Sequence, residues 1–293
     1  MLHYKPSIGS RAFDIGNVCI LLLFSIITLI PFLYVTATSL APLKQVLQGG
    51  LILWPETIDW GAYYTIFSNT HFVHSLWVSI FITVTGTFVN LLFTTLMAYP
   101  LSKKRLRGRG VILFLVVVTM LFSGGLIPSY LVVKNIHLLN TVWSVILPGA
   151  ISAFNLIIMR NFFMSIPEEL EEAARIDGCR NFGVLFRVVL PLSMPALATF
   201  TLFYAVGHWN NYFSAVMYIN KSDLWPIQVL LRQMIIEGSV EQFQNAALEA
   251  SAQVLPKSIK MAATIVATVP ILIIYPFLQK HFAKGVLLGS VKG

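Results

Sequence analysis

EELEEAARIDGCRNFGVLFRVVLPLSMP, Glu168 to Pro195, is the only long charged, helix-forming segment standing between runs of almost purely apolar sequence. Just before it, Ser165-Ile166-Pro167-Glu168 has the spacing of a capping box, with Pro167 tolerated in a first helical turn, and predicts a helix start. Helical spacing then places Ile166, Leu170, Ala173 and Ala174 on one face and Glu168, Glu171, Glu172 and Arg175 on another. The acidic residues lie at the favourable end of the helix dipole. Gly178 permits the positive φ of a C-terminal turn, and a second amphipathic pattern, Phe182, Leu185, Phe186 and Val189, runs until Pro191. A helix, a sharp turn and a helix are expected, at the place where the chain meets water. Pattern alone leaves open a merely solvated loop between two membrane spans.

With 57% hydrophobic and 11% charged residues and a mean hydropathy of +0.78, the chain lies far outside soluble globular composition and reads as an all-α polytopic membrane protein. Six segments are long enough for a hydrocarbon core that needs ~20 apolar residues: Ile15 to Ser39, Ser75 to Tyr99, Val111 to Val133, Thr141 to Phe163, Ala196 to Ile219 and Ser258 to Gln279. The first is too long for a signal-peptide core and no small-residue cleavage site follows it, so a retained span is expected. Six spans put both termini on one side. Fourteen of the twenty Lys and Arg residues then gather there: Lys5 and Arg11, the Lys103 to Arg109 loop, Arg160, Arg175, Arg180, Arg187 and the tail. By the positive-inside rule both termini and the 168–195 segment are cytoplasmic. The net charge of +8 is therefore a topology signal, and lipid rather than nucleic acid is the expected surrounding. Cys19 and Cys179 are too few and too separated for a disulfide framework or a metal site.

Within the spans, Gly124-Gly125 and Pro128 interrupt the third, as happens where freed backbone groups face protein or a watery cavity, although close helix packing also uses glycine. The fifth span carries Gly207-His208-Trp209-Asn210-Asn211-Tyr212 at its middle. Polar side chains at that depth bond other helices or line a wet path. Aromatic faces stack on sugar rings and amides bond hydroxyls, so His208, Trp209, Asn211 and Tyr212 are candidates for a substrate pathway. Successive residues rotate ~100° about a helix, which sets His208 and Asn211 on one face and Gly207, Asn210 and Ser214 on another. The first pair is expected to line the path and Asn210 to be structural. In the first outer loop, Trp54, Pro55, Trp60, Tyr63 and Tyr64 suit an interfacial aromatic belt or a contact surface.

All twelve carboxylates lie outside the expected spans. A proton- or sodium-coupled carrier usually needs an intramembrane acid, and a membrane hydrolase needs paired acids, a metal motif or an activated nucleophile. There is no P-loop, since no Gly-x4-Gly-Lys-Ser/Thr occurs. No catalytic residue, cofactor or metal is implied, and the energy must come from another polypeptide.

Glu172-Ala173-Ala174, three residues, Gly178, nine residues and Val188-Val189-Leu190-Pro191 resemble the EAA loop of bacterial ATP-binding-cassette (ABC) importer permeases, EAA-x3-G-x9-I-x-LP, departing only at Val188. Asp177-Gly178 and Leu190 to Ala196 are similar to the sugar-importer branch, of which the maltose-system G subunit is the nearest type. Ser123 to Pro128 and the Gly289-Ser290-Val291-Lys292-Gly293 end resemble the branch of LplC-type permeases and importers of acidic oligosaccharides such as alginate. The resemblance covers nearly the whole chain and is strongest from Ser75 onward. It implies a type I importer permease in the bacterial cytoplasmic (inner) membrane, carrying a carbohydrate, with an oligosaccharide, of acidic type, as the finer assignment. It divides the chain into 1–74, a permease core 75–281 with the coupling loop at 164–195, and a cytoplasmic tail 282–293 that reaches between the ATPases. It assigns coupling to the ATPase to Glu172, Ala173, Ala174, Arg175, Asp177, Gly178, Leu190 and Pro191. It assigns binding-protein contact to the outer loop 220–257, with Glu237, Glu241, Gln242 and Gln244. The implied partners are a second, non-identical permease, two ATPase subunits that hydrolyse the ATP, and an extracytoplasmic substrate-binding protein. The rival class is a passive channel or membrane-embedded enzyme, which would act without an ATPase.

Overall fold

The computed structural model describes residues 8–237 and 256–290, and these are helical with no strand. Phe13–Leu40, Thr70–Ser102 and Pro256–Pro276 are long and apolar enough to cross a membrane unbroken. The other crossings are bent: Arg109–Leu121 meets Leu126–Asn135 at 117°, Trp143–Gly149 meets Ala153–Met164 at 53°, and Met194–Trp209 meets the end of the preceding loop helix, Asn181–Leu192, at 84°. Among the described residues this gives up to six spans by length and composition.

The first two breaks have a chemical cause. Gly125 takes φ +85°, closed to residues with a Cβ, and its carbonyl accepts from the Ser129 hydroxyl at 2.7 Å. Pro148 sits in a 3₁₀ turn, Leu147–Gly149, after which Ser152 accepts from the Asn155 N–H at 3.4 Å to start the next helix. The fifth crossing departs from expectation. A continuous helix from Ala196 to Ile219 was the reading, but Met194–Trp209 ends at Asn210 and a new helix, Phe213–Tyr218, begins three residues later. Apolar periodicity carries no sign of this stop, because both halves are hydrophobic.

The chain forms two units, residues 1–70 with 233–267, and residues 71–232 with 268–293. In the first, Phe13–Leu40 presents apolar side chains outward along its length, as a lipid-facing helix does, and only its end is held. There the Ser39 hydroxyl meets the Tyr63 hydroxyl at 2.8 Å, and Ala37, Ala41, Val46 and Ile52 form a small core. Trp54, Trp60 and Tyr64 of the outer loop stay exposed.

In the second unit, Thr70–Ser102 runs through two apolar cores. Val78 and Ile82 pack with Val133, Ile146, Ala215 and Ile219, while Ala98, Tyr99 and Leu101 pack with Leu156, Phe163, Leu185 and Phe200. Between the cores the same helix buries a polar stripe, Thr87, Asn90 and Thr94, at helical spacing. The Thr94 hydroxyl meets the Tyr204 hydroxyl at 2.7 Å with both side chains buried. Thr94→Val should therefore destabilise by about 1 kcal/mol by orphaning that hydroxyl, and Thr94→Val with Tyr204→Phe should recover most of the loss. Thermal unfolding of the detergent-purified complex, run as a double-mutant cycle, measures this.

Candidate coupling loop and substrate cavity

The water-facing loop folds as a helix, Glu168–Ile176, a turn and a second helix, Asn181–Leu192. Its start differs from the expected capping box: Pro167 holds the N-cap position and Ser165 donates its hydroxyl backwards to Phe162 O at 2.7 Å. Ser165 caps the end of the preceding helix, and its hydroxyl bonds back to the Phe162 carbonyl, which its own N–H also meets, rather than reaching forward. The turn forms as read. Gly178 has φ +86°, and Cys179 N–H donates to Ala174 O at 2.9 Å. In the second helix the bonds widen to a π-type turn over Leu185–Val189, just before Pro191, which has no N–H to give. That turn separates the expected face. Leu185 and Val189 are buried, whereas Phe182 and Phe186 are exposed.

The first helix is rotated from its expected orientation. Glu171, read as part of the polar face, is 3% exposed, while Leu170 is 45% and Ile176 85% exposed. The compensation is Lys103, whose ammonium pairs with the Glu171 carboxylate and lies 4.6 Å over the Tyr99 ring. A buried carboxylate needs such a partner. Next to it, Arg105 stands 3.8 Å from the exposed Glu172. The basic second loop thus does more than set topology, because two of its cations face the acidic helix. Glu172, Ala173, Arg175, Asp177, Gly178 and Pro191 are exposed, and Ala174 and Leu190 half-buried. Beside them opens a cavity of about 520 Å³, lined by Tyr99, Lys103, Arg105, Glu168, Arg175 and Phe182 among others.

A second cavity, about 370 Å³, lies deeper in the membrane region. His208 and Asn211 both line it, together with Gly207, Ser214, Asn90 and Tyr204. The expected separation of His208 and Asn211 from Gly207 and Ser214 fails because the helix stops at Asn210. Asn211 N–H closes a tight turn on His208 O at 3.2 Å, and its side-chain Oδ1 accepts from Ser214 N–H at 3.3 Å. Asn210 is exposed and does not line this cavity. Nor do the other two candidates. Trp209 is buried in a cleft with Thr83, Val206 and Pro270, and Tyr212 lies under the Arg232 guanidinium at 4.5 Å. Glu241, Gln242 and Gln244 lie outside the described residues, as does the side chain of Glu237.

Sequence reasoning missed Gly86, Asn90, Lys103 and Glu171. The ring of His208 packs against Gly86, where a Cβ would stand 2.5 Å from Nε2. Asn90 Oδ1 is 3.1 Å from His208 Nε2, and Asn90 Nδ2 donates to Gly149 O at 2.9 Å. The signal for Asn90 was available, since Thr87, Asn90 and Thr94 recur at helical spacing inside an apolar span.

The polygalacturonan/rhamnogalacturonan transport system permease protein YtcP of Bacillus subtilis (strain 168) is 52% identical over 284 residues, 97% of this chain and 99% of that protein. Protein LplC of the same organism is 51% identical over 285 residues, covering 97% of this chain and 96% of its own. Among solved structures, a bacterial ABC transporter involved in the import of the acidic polysaccharide alginate superposes with a TM-score of 0.90 at 36% identity, covering 96% of this chain and 100% of that one. Residues 84–288 match the binding-protein-dependent transport system inner membrane component family, and the chain belongs to it.

Proposed function

We propose that this chain is the transmembrane permease subunit of an ATP-driven, binding-protein-dependent importer of acidic oligosaccharides. The observation that carries this is the water-facing helix–turn–helix, which exposes Leu170 and Ile176 beside Glu172, Arg175 and Asp177 on one short, rigid element. Exposed apolar residues rimmed by charge suit a protein contact. The partner on that face is an ATPase subunit, and the assembly holds one copy of this chain, a second, non-identical permease, two ATPases and an extracytoplasmic binding protein. ATP is hydrolysed on those partners, with this chain contributing no catalytic group. The substrate class is supported by the names of the relatives. The 370 Å³ cavity, lined among the described residues by amide, hydroxyl, imidazole and aromatic groups, suits sugar hydroxyls.

Mechanically, movement of the ATPase would displace Glu168–Ile176, and the Lys103–Glu171 pair would pass that displacement to Thr70–Ser102. The helix Met194–Trp209, continuous in sequence with the loop, carries His208 to the cavity. Glu172, Ala173, Ala174, Arg175, Asp177, Gly178, Leu190 and Pro191 are the proposed coupling set. His208 and Asn211 are the proposed pathway groups, with Trp209 and Tyr212 supporting the helix break around them. Glu237, Glu241, Gln242 and Gln244 remain the proposed binding-protein contacts.

Affinity purification of the tagged chain from its native membrane should bring down two ATPases and a different permease, and proteoliposomes with the binding protein should import trigalacturonate only with internal ATP. Uptake by the chain alone would make it a channel. Charge reversal tests the latch. Lys103→Glu or Glu171→Lys should each reduce uptake at least tenfold while ATP hydrolysis persists, and the two together should restore much of it, since a buried charge left unpaired costs about 3 kcal/mol or more. Single cysteines at 208, 210, 211 and 214 in the assembled transporter should react with a hydrophilic thiol reagent. Substrate should protect 208, 211 and 214 but not 210.

A further inference from the structure

The hydrogen bonds around Asn90 determine which atom of His208 meets a ligand. Gly149 ends the 3₁₀ turn before a helix break, and its carbonyl can only accept. Asn90 must therefore turn its amide nitrogen to Gly149, where the distance is 2.9 Å, and this turns its Oδ1 towards His208 Nε2 at 3.1 Å. An amide oxygen only accepts, so His208 Nε2 carries a hydrogen. Gly86, one turn earlier on the same helix, lets that edge of the ring lie against the backbone: an added Cβ would stand 2.5 Å from Nε2, 2.6 Å from Cε1 and 2.8 Å from Cδ2. With Nε2 turned to Asn90, and the Gly86 backbone also hydrogen-bonded to the ring, Nδ1 is the remaining ring nitrogen. In the lining of the same cavity, Asn211 has its Oδ1 engaged by Ser214 N–H, which leaves its amide N–H groups as donors.

Resting on the pathway reading above, we infer that His208 Nδ1 and Asn211 Nδ2 form an acceptor–donor pair for adjacent hydroxyls of one sugar ring, and that Asn90 is the positioning residue that sets the histidine tautomer. One hydroxyl donates to Nδ1 while its neighbour accepts from Nδ2. The pair recognises the diol that neutral and acidic sugars share, and leaves the carboxylate unread at this point. Two neutral hydrogen bonds hold a passing ring without trapping it, because each replaces one the hydroxyl makes to water.

Nitrogen-15 solid-state NMR of histidine-labelled full transporter in lipid, with the His208 signal identified by its absence in His208→Gln, reads the tautomer directly. The expected result is a protonated Nε2 and an unprotonated Nδ1, with the Nδ1 resonance shifting on addition of trigalacturonate. Asn90→Leu should mix the tautomers and lower uptake about tenfold at unchanged binding-protein affinity. Gly86→Ala, which displaces the ring, should do the same. A wild-type His208 protonated at Nδ1, or a tautomer indifferent to Asn90→Leu, overturns the inference even if import is normal. The NMR result stands apart from the substrate reading. If trigalacturonate is not imported but the Nε2–H tautomer and its dependence on Asn90 are found, the acidic-oligosaccharide reading fails while the positioning role holds, and a neutral trisaccharide should then shift Nδ1. A sugar-insensitive Nδ1 with both probes removes the ligand role.

Discussion

Inside a hydrocarbon layer a polar group without a partner has no water to turn to, and in the second unit two buried side chains of one helix meet that demand across the fold, while the Thr87 hydroxyl beside them makes no hydrogen bond. Thr70–Ser102 carries Asn90 and Thr94 on its buried stripe, and each meets a group on another segment: Asn90 meets Gly149 O and His208, and Thr94 meets Tyr204. The partners come from the bent crossings, where broken helices expose carbonyls and place polar side chains at depth. An unbroken helix can satisfy its own backbone and still offer side chains to neighbours that cannot. At the Leu147–Gly149 bend the unbroken helix supplies that hydrogen bond, from Asn90 to Gly149 O.

The same helix ends beside the proposed coupling loop. Ser102 is its last residue and Lys103, the next, holds Glu171. From Asn90 to Lys103 is thirteen residues, a span of about 20 Å at 1.5 Å per residue. Apolar cores pack against this helix at both ends, and close-packed interiors resist compression. In the proposed mechanism this gives the loop two connections to the cavity. One is covalent, through Ser193 into Met194–Trp209, and crosses an 84° bend. The other is the ion pair into Thr70–Ser102, which runs unbroken to the cavity and carries Pro100 in its last turn.

The sequence was most legible where a local signal has one structural meaning. The apolar lengths gave the unbroken spans, Gly124-Gly125 gave the third break, and Gly178 gave the turn, because positive φ needs glycine. It was least legible where tertiary context chose between options that are locally equal. Glu171 belongs to a polar face by periodicity, and nothing near it in sequence says that Lys103, sixty-eight residues earlier, turns that face inward. Ser165 had two ways to satisfy its hydroxyl and took the nearer. The stop at Asn210 sits between hydrophobic halves, so a hydropathy pattern reads through it. Rotation arithmetic on an assumed helix then separated Ser214 from His208, which the cavity brings together.

That stop is also what gives the cavity its chemistry. A continuous helix would direct Asn211 by its rotational phase and would bond its N–H four residues back. Ending the helix lets Asn211 N–H close on His208 O and lets its side chain accept from Ser214 N–H, so the two residues after the break are held by the break itself. Gly86 then acts from the other side, where the absence of a Cβ admits the His208 ring against the straight helix. A sugar path must be polar enough to admit hydroxyls and weak enough to release them. Groups whose geometry is fixed by protein bonds, with few free donors and acceptors left over, meet both requirements, and an irregular backbone tucked against a regular helix is how this fold provides them.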